Sequence, residues 1–145
     1  MDIVIPLTSD SYNNYTELRY SLRSMQKYLS GSARIFIIGG KPKWIGNVIH
    51  INTNEVLGDR FRDMNLYRKM LVACRDQDIS PDFLYWHDDH FLLSGVKAAK
   101  FPYHHKGRLE DSMKARTMRD PYRDVLSNTI KTLLQKRAPV LDFDT

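Results

Sequence analysis

The sequence contains very little cysteine and no long apolar run, and each absence excludes a class of protein. Cys74 is the single cysteine, so the chain cannot form an internal disulfide framework, and a reducing compartment is indicated. A segment that crosses a bilayer needs about 18 or more apolar residues in a row, and the chain has no such run. The first residues, MDIVIPLT, lack the basic start and the apolar core of a signal peptide. We therefore expect a cytoplasmic protein without a membrane span.

Signature motifs of several enzyme classes are also missing. The chain has no G-x-S-x-G, P-loop, G-x-G-x-x-G or H-E-x-x-H sequence, so the common hydrolase, nucleotide-binding and zinc protease signatures are absent. Lysine and arginine outnumber aspartate and glutamate by 22 to 17. This excess permits an anionic ligand, but the basic residues are spread over several segments and form no known nucleic-acid-binding motif. We expect no nucleic-acid partner.

Short β-branched runs alternate with segments of helical periodicity along the chain. Strands are predicted at 2–7, 34–38, 47–51, 82–86, 91–93 and 139–143. Helices are predicted from Thr16 to Gly31, over 62–75 and over 121–136. This alternation is typical of a layered α/β domain with a mostly parallel central sheet, and we expect one domain over 1–145. Ligands of such sheets bind beyond the carboxyl ends of the strands.

Three further features are interpreted as structural. The helix over 62–75 carries one stripe of residues at helical spacing: Met64, Tyr67, Leu71 and Cys74. We interpret Cys74 as a small core residue on that stripe. Gly39 and Gly40 are interpreted as a turn after the second strand, and His104 and His105 as part of a surface loop, since adjacent histidines lack the usual ligand spacing.

Four polar residues, His87 to His90, follow the apolar strand at 82–86. Asp88 and Asp89 repel one another unless a cation compensates, and carboxylate oxygens suit Mg²⁺ or Mn²⁺. Both aspartates could instead be turn formers. The flanking apolar runs and the two histidines favour a site, with Asp88, Asp89 and His90 as candidate metal ligands and catalytic groups. In an extended segment, successive side chains would point to opposite sides.

Four segments, ELRYSLRSM, RIFIIGGKPKWIGNVIHIN, DMNLYRKML and DFLYWHDDHFLL, together resemble nucleotide-sugar transferases of the GT-A type. The likeness is greatest to Stealth-type hexose-1-phosphate transferases and related bacterial and phage proteins. It runs over nearly the whole chain, although His87 stands where the Stealth pattern usually has Asn. The resemblance implies a GT-A-like (Rossmann-like) three-layer α/β domain that binds a nucleotide sugar. The chain is short for that family, and we expect it to be C-terminally incomplete.

The same resemblance implies roles for particular residues. Asp88 and Asp89 would hold Mn²⁺ or Mg²⁺ and the diphosphate of the donor. The residues that border the base and ribose would be Leu7, Thr8 and Ser9. The residues that line the donor pocket would be Arg19, Asp63, Asn65 and Lys69. The expected donor is a UDP-sugar, and the expected acceptor is a carbohydrate or glycan.

Three functions follow from these expectations. We place first a metal-dependent glycosyltransferase, because the short chain offers only a nucleotide-sugar core. The second is a sugar-1-phosphate transferase of the Stealth type, which breaks the bond between the two phosphates rather than the bond at the anomeric carbon. The third is a nucleotide-sugar-binding domain without turnover.

Overall fold

A computed structural model describes residues 1–8, 13–31, 34–53, 62–102, 108–117 and 120–136. Within the helices, the side chains of residues 62, 63, 109, 121, 133, 134 and 136 are not described. Several predictions therefore fall outside the described residues: the strand at 139–143, the loop with His104 and His105, Ser9 and the side chain of Asp63. The chain divides into two compact units, Met1–Phe101 and Pro102–Thr145. The expectation of one domain stays a prediction.

The described part of the chain contains six strands, four α-helices and a short 3-10 helix at Ala98–Lys100. The strands are β1 (Asp2–Leu7), β2 (Leu29–Ser30), β3 (Ile35–Gly39), β4 (Ile49–Ile51), β5 (Phe83–Tyr85) and β6 (Val96–Lys97). The helices are α1 (Thr16–Tyr28), α2 (Arg62–Arg75), α3 (Leu109–Lys114) and α4 (Pro121–Lys136). Among the described residues, no helix is long and apolar enough to cross a membrane.

A four-stranded sheet in the order β4-β3-β1-β5 forms the centre of the first unit. Each described pairing in this sheet is parallel. Every residue of β1 is buried, as expected for a central strand that is covered on both faces. Ile5 packs in one buried cluster with Leu18 of α1, while Val4 packs in a second cluster with Ala73 of α2. Helices therefore cover both faces of the sheet, and the α/β fold with a parallel central sheet is confirmed.

The apolar stripe predicted on α2 faces solvent rather than the core. Three of its members are more than half exposed: Met64, Tyr67 and Leu71. Cys74 is also exposed, so its interpretation as a core residue is wrong. The side of α2 that packs on the sheet carries three buried residues: Asn65, Lys69 and Ala73. Both stripes have helical spacing, so the periodicity predicts the helix correctly but does not tell which stripe the sheet covers.

Residues 91–93, predicted as a strand, form no regular structure. The backbone N–H of Leu92 donates instead to Ser24 Oγ of α1 at 3.0 Å, so this segment is held by a helix side chain rather than by a neighbouring strand. The short strand β6 follows a few residues later and pairs with β2 in a separate two-stranded parallel sheet.

In the second unit, the predicted helix over 121–136 is confirmed as α4, and α3 was not predicted. Arg123 of α4 donates from Nη1 to the carbonyl oxygens of Met113, at 3.2 Å, and Arg116, at 2.9 Å. Arg116 in turn pairs with Asp120 at 2.7 Å. Arg123 therefore joins α4 to carbonyl groups at and just beyond the end of α3.

Candidate functional site

The parallel arrangement brings several chain segments to the carboxyl edge of the central sheet. Val4 of β1 is paired with Tyr85 of β5, and the N–H of Trp86 still donates to the carbonyl of Val4 at 2.9 Å. Leu7, the last residue of β1, is paired with Gly39, the last residue of β3. The ends of β1 and β3 therefore lie beside the turn that follows β5, at the edge where such sheets bind ligands.

Residues His87 to His90 form a turn rather than an extended segment. The N–H of His90 donates to the carbonyl of His87 at 3.2 Å, and Asp88 and Asp89 occupy the tip. The imidazole rings of His87 and His90 lie with their centroids 5.0 Å apart. The alternation of side chains expected for an extended segment is therefore not found here.

Helix α1 holds the base of this turn. The buried indole Nε1 of Trp86 donates to Ser21 Oγ at 2.9 Å, and it also approaches the carbonyl of His90 at 3.3 Å. One helical turn further on, Ser24 Oγ accepts the N–H of Leu92. Two serines of one helix thus fix the chain on both sides of the acidic tip.

These two serines were not among the predicted site residues. Ser21 is completely buried and lies three residues after Leu18, within the apolar stripe of α1. A small polar residue in an otherwise apolar stripe is a signal that a buried polar group needs a partner. That partner is Trp86, which lies 65 residues away in the chain, so no local sequence pattern predicts the pairing.

Lys69 provides a buried cation at the same edge. Its side chain is 4% exposed, and Nζ donates to the carbonyl oxygen of Leu7 at 2.5 Å. Asn65, one helical turn earlier on α2, is 8% exposed. A buried ammonium group needs hydrogen-bond partners, and the carbonyl oxygen of Leu7 is one of them. Lys69 thus places a positive charge at the end of β1.

Gly39 and Gly40 do more than form a turn. A Cβ atom on Gly39 would lie 2.2 Å from the carbonyl oxygen of Leu7 and 2.7 Å from Cε of Lys69. The backbone of Gly39 also has a φ of 106°, a conformation that is unfavourable for any residue with a Cβ atom. A Cβ atom on Gly40 would lie 2.0 Å from the carbonyl oxygen of Thr8. Only glycine lets β3 approach the end of β1 this closely.

The predicted donor-pocket residues are divided between the two helix layers. Asn65 and Lys69 lie on α2. Arg19 lies on α1, where its guanidinium carbon is 4.3 Å from the centroid of the Trp44 ring. Thr8 follows β1 directly, and its carbonyl oxygen accepts a hydrogen bond from the hydroxyl of Tyr15 at 2.9 Å. The assignment of Arg19, Asn65 and Lys69 to a donor pocket stays a prediction, as does that of Thr8 to the border of the base and ribose.

A divalent metal at Asp88 and Asp89 also stays a prediction. Among the residues that the structure describes, no three side chains of His, Cys, Asp and Glu are grouped closely enough to hold a metal ion. Magnesium, however, commonly takes one or two protein carboxylates and completes its shell with water and substrate phosphates. Two adjacent carboxylates on a partly exposed turn fit that chemistry.

Part of this chain is similar to a curated protein. A capsular polysaccharide phosphotransferase from Neisseria meningitidis serogroup B is 29% identical over 96 residues, which cover 56% of this chain. The match covers 24% of the relative, so the chain spans about a quarter of the length of the curated relative it matches. No family model and no solved structure matches the chain. The relative's name agrees with the resemblance to sugar-phosphate transferases.

Proposed function

We propose that this chain carries the core of a sugar-phosphate transferase, which moves a sugar 1-phosphate from a nucleotide sugar to a hydroxyl group of a carbohydrate. The observation that carries the proposal is the partial match to a capsular polysaccharide phosphotransferase. It favours the function that the sequence analysis placed second over glycosyl transfer. The acidic turn and the buried Lys69 at one edge of the sheet support the same chemistry.

In the proposed reaction, the acceptor hydroxyl oxygen attacks the phosphorus atom that bears the sugar. A new phosphorus–oxygen bond forms, the bond between the two phosphates breaks, and the nucleoside monophosphate leaves. Asp88 and Asp89 would hold Mg²⁺ or Mn²⁺, which when bound neutralises charge on the phosphates. Lys69 contributes a fixed positive charge beside the donor. His90, exposed at the end of the turn, is the proposed acceptor of the hydroxyl proton.

The nucleotide product distinguishes this proposal from glycosyl transfer. Glycosyl transfer breaks the bond at the anomeric carbon and releases UDP from a UDP-sugar. Transfer of the sugar 1-phosphate releases UMP. The protein is incubated with Mg²⁺ or Mn²⁺, a UDP-sugar and carbohydrate acceptors, and the nucleotide is identified by chromatography. UMP formed only in the presence of acceptor supports the proposal, whereas UDP would establish glycosyl transfer instead.

Asp89→Asn tests the acidic turn. We expect at least about a hundredfold loss of turnover, as is typical when a charged group that stabilises the transition state is removed. Asp82→Asn is the matched control, because Asp82 is an exposed carboxylate that directly precedes the other end of β5. Equal activity of the two variants would contradict the assignment of Asp89.

Binding without turnover gives a different result in the same preparation. A nucleotide sugar at about 100 times its Kd should stabilise the wild-type protein by about 2.7 kcal/mol. Stabilisation that requires Mg²⁺ or Mn²⁺, with no nucleotide product from any acceptor, would identify a nucleotide-sugar-binding domain.

A further inference from the structure

Two buried hydroxyl groups in the described part of the chain have no hydrogen-bond partner. They are Thr53 Oγ1 and Tyr85 Oη. Native proteins satisfy nearly all buried polar groups, so an unpaired one is expected where a ligand or water supplies the partner. Tyr85 is the last residue of β5, and Thr53 follows the end of β4 by two residues. Both unpaired hydroxyls therefore lie towards the carboxyl edge of the sheet.

Tyr85 faces the α2 side of the sheet. Phe83, two residues earlier in the same strand, packs against the cluster that contains Ala73 of α2, and residues two apart in a strand share a face. The ring of His87 lies edge-on to that of Tyr85, with the centroids 5.3 Å apart. Burial and the neighbouring Tyr67 raise the pKa of Tyr85 to about 12. The hydroxyl therefore keeps its proton at neutral pH and is available as a donor.

The positions of the two hydroxyls suit an extended ligand. β4 and β5 are the outer strands of the sheet, and three strand spacings place them roughly 14 Å apart. Lys69, whose Nζ reaches the end of β1, lies between them. A ligand that runs along this edge thus meets a hydroxyl near each end and a cation between them. A nucleotide sugar has this pattern, since two sugar rings flank a diphosphate.

We propose that Tyr85 donates a hydrogen bond to the nucleotide-sugar donor, which lies on the α2 side of the carboxyl edge between β5 and β4. The inference rests on the proposed function, because it takes its ligand class from there. Tyr67 of α2, which is 60% exposed, lies near enough to Tyr85 to contribute to its raised pKa. Exposed side chains change rotamer rapidly, so its ring can turn aside and admit the ligand to Tyr85.

Tyr85→Phe tests the inference because it removes only the hydroxyl oxygen. If that hydroxyl has no partner in the free protein, the thermal midpoint without ligand stays the same or rises. If it binds the donor, the Kd for the ligand weakens about threefold to tenfold, as for the loss of one hydrogen bond. Tyr20→Phe is the matched control, since Tyr20 is 58% exposed on α1, and it should change neither quantity.

The probes are UDP, UDP-glucose and UDP-N-acetylglucosamine, each with Mg²⁺, and the measurements are calorimetric titration and thermal unfolding. A clear loss of stability in Tyr85→Phe without ligand means that the hydroxyl has a partner inside the protein, and overturns the inference. If Tyr85→Phe binds the probes as tightly as the wild type does, the inference about Tyr85 is overturned. The proposed function is not affected by that result, because the wild-type protein still binds the donor. Failure of the wild-type protein to bind any probe overturns the proposed donor and this inference together.

Thr53→Val provides a second test at the other end of the edge. Valine replaces the hydroxyl by a methyl group of similar size, so a fold defect is not expected. A weaker Kd for the same probes with an unchanged thermal midpoint supports a ligand that reaches from β5 to β4. Unchanged affinity in Thr53→Val alone confines the ligand to the β5 end and overturns the proposed span.

Discussion

Asp2→Asn should destabilise the fold by a large and pH-dependent amount. The carboxylate of Asp2 is completely buried and accepts four hydrogen bonds. Arg34 donates to it from Nη2 at 2.7 Å and from Nε at 3.3 Å, while Ser80 donates from its backbone N–H at 2.9 Å and from its hydroxyl at 2.8 Å. Since Arg34 directly precedes β3 and Ser80 lies shortly before β5, one carboxylate joins three neighbouring strands.

The size of the effect follows from these bonds. Asparagine keeps the shape of the side chain but replaces one acceptor oxygen by a donor, which must then face a donor of Arg34 or Ser80. A hydrogen bond to a charged group contributes about 1.5–3 kcal/mol, and more than one is disturbed. We expect a loss of about 2–4 kcal/mol in the free energy of unfolding at pH 7. That is a large part of the total free energy of unfolding, which is roughly 5–15 kcal/mol for small domains.

The loss should shrink in acid. Burial alone would raise the pKa of Asp2, but the hydrogen bonds from Arg34 and Ser80 outweigh it and hold the pKa well below its usual range. A depressed pKa gives stability that is fully present above the unfolded-state pKa, about 3.9. This stability is lost as the pH falls towards the folded-state pKa. The difference between wild type and variant should therefore fall by up to about 1.4 kcal/mol per pH unit below that value.

Urea denaturation at pH 7 and at pH 3 measures both quantities. Asp82→Asn is the control, because Asp82 is exposed just before β5 and should change stability by less than about 0.5 kcal/mol. A loss in Asp2→Asn that is equally large at both pH values would refute the ionic origin of the effect. A loss no larger than that of the control would refute the role of the network.

Two further predictions concern the carboxyl edge. Gly39→Ala should lower the free energy of unfolding by about 2–5 kcal/mol, because the new Cβ would overlap the carbonyl of Leu7 at a positive φ. Gly46→Ala is the control, since a Cβ there would have nothing within 4 Å. Equal unfolding midpoints of the two variants in urea would contradict the close approach of β3 to β1. Ser21→Ala should lower the free energy of unfolding by about 1–3 kcal/mol, since the buried indole N–H of Trp86 loses its nearest acceptor. An unchanged tryptophan emission spectrum together with unchanged stability would contradict this role of Ser21.

The order of the longer elements could be predicted from local patterns, whereas α3 and the two-residue strands β2 and β6 were not predicted. β1 is a β-branched run that is buried along its whole length, and α1, α2 and α4 each follow a helical periodicity. The alternation of strand and helix then predicted a parallel sheet with a ligand edge, because a parallel connection needs a crossover, usually a helix. The polar residues after β5 were identified because four ionisable residues directly follow an apolar strand, but the turn that they form was not the preferred expectation.

Which face of an element is covered could not be predicted in every case. On α2, the sequence offers an apolar stripe through Met64 and Leu71 and a second stripe through Asn65 and Lys69. Apolar content favoured the first, yet the sheet covers the second. A buried lysine is stabilised by the carbonyl of Leu7, which lies 62 residues away in the chain, so local spacing cannot reveal it.

The sequence by itself determined the type and order of the main elements, namely β1, β3, β4, β5, α1, α2 and α4, and it placed the carboxylates of Asp88 and Asp89 after β5. These depend on side-chain periodicity and on residue chemistry, which are local. Three features were decided by the tertiary structure alone. Ser21 accepts a hydrogen bond from Trp86 at the base of the acidic turn, Gly39 allows β3 to lie close to the end of β1, and Lys69 is buried beside the end of β1. Each of these depends on contacts between residues far apart in the chain, and such contacts exist only once the sheet and its two helix layers have assembled.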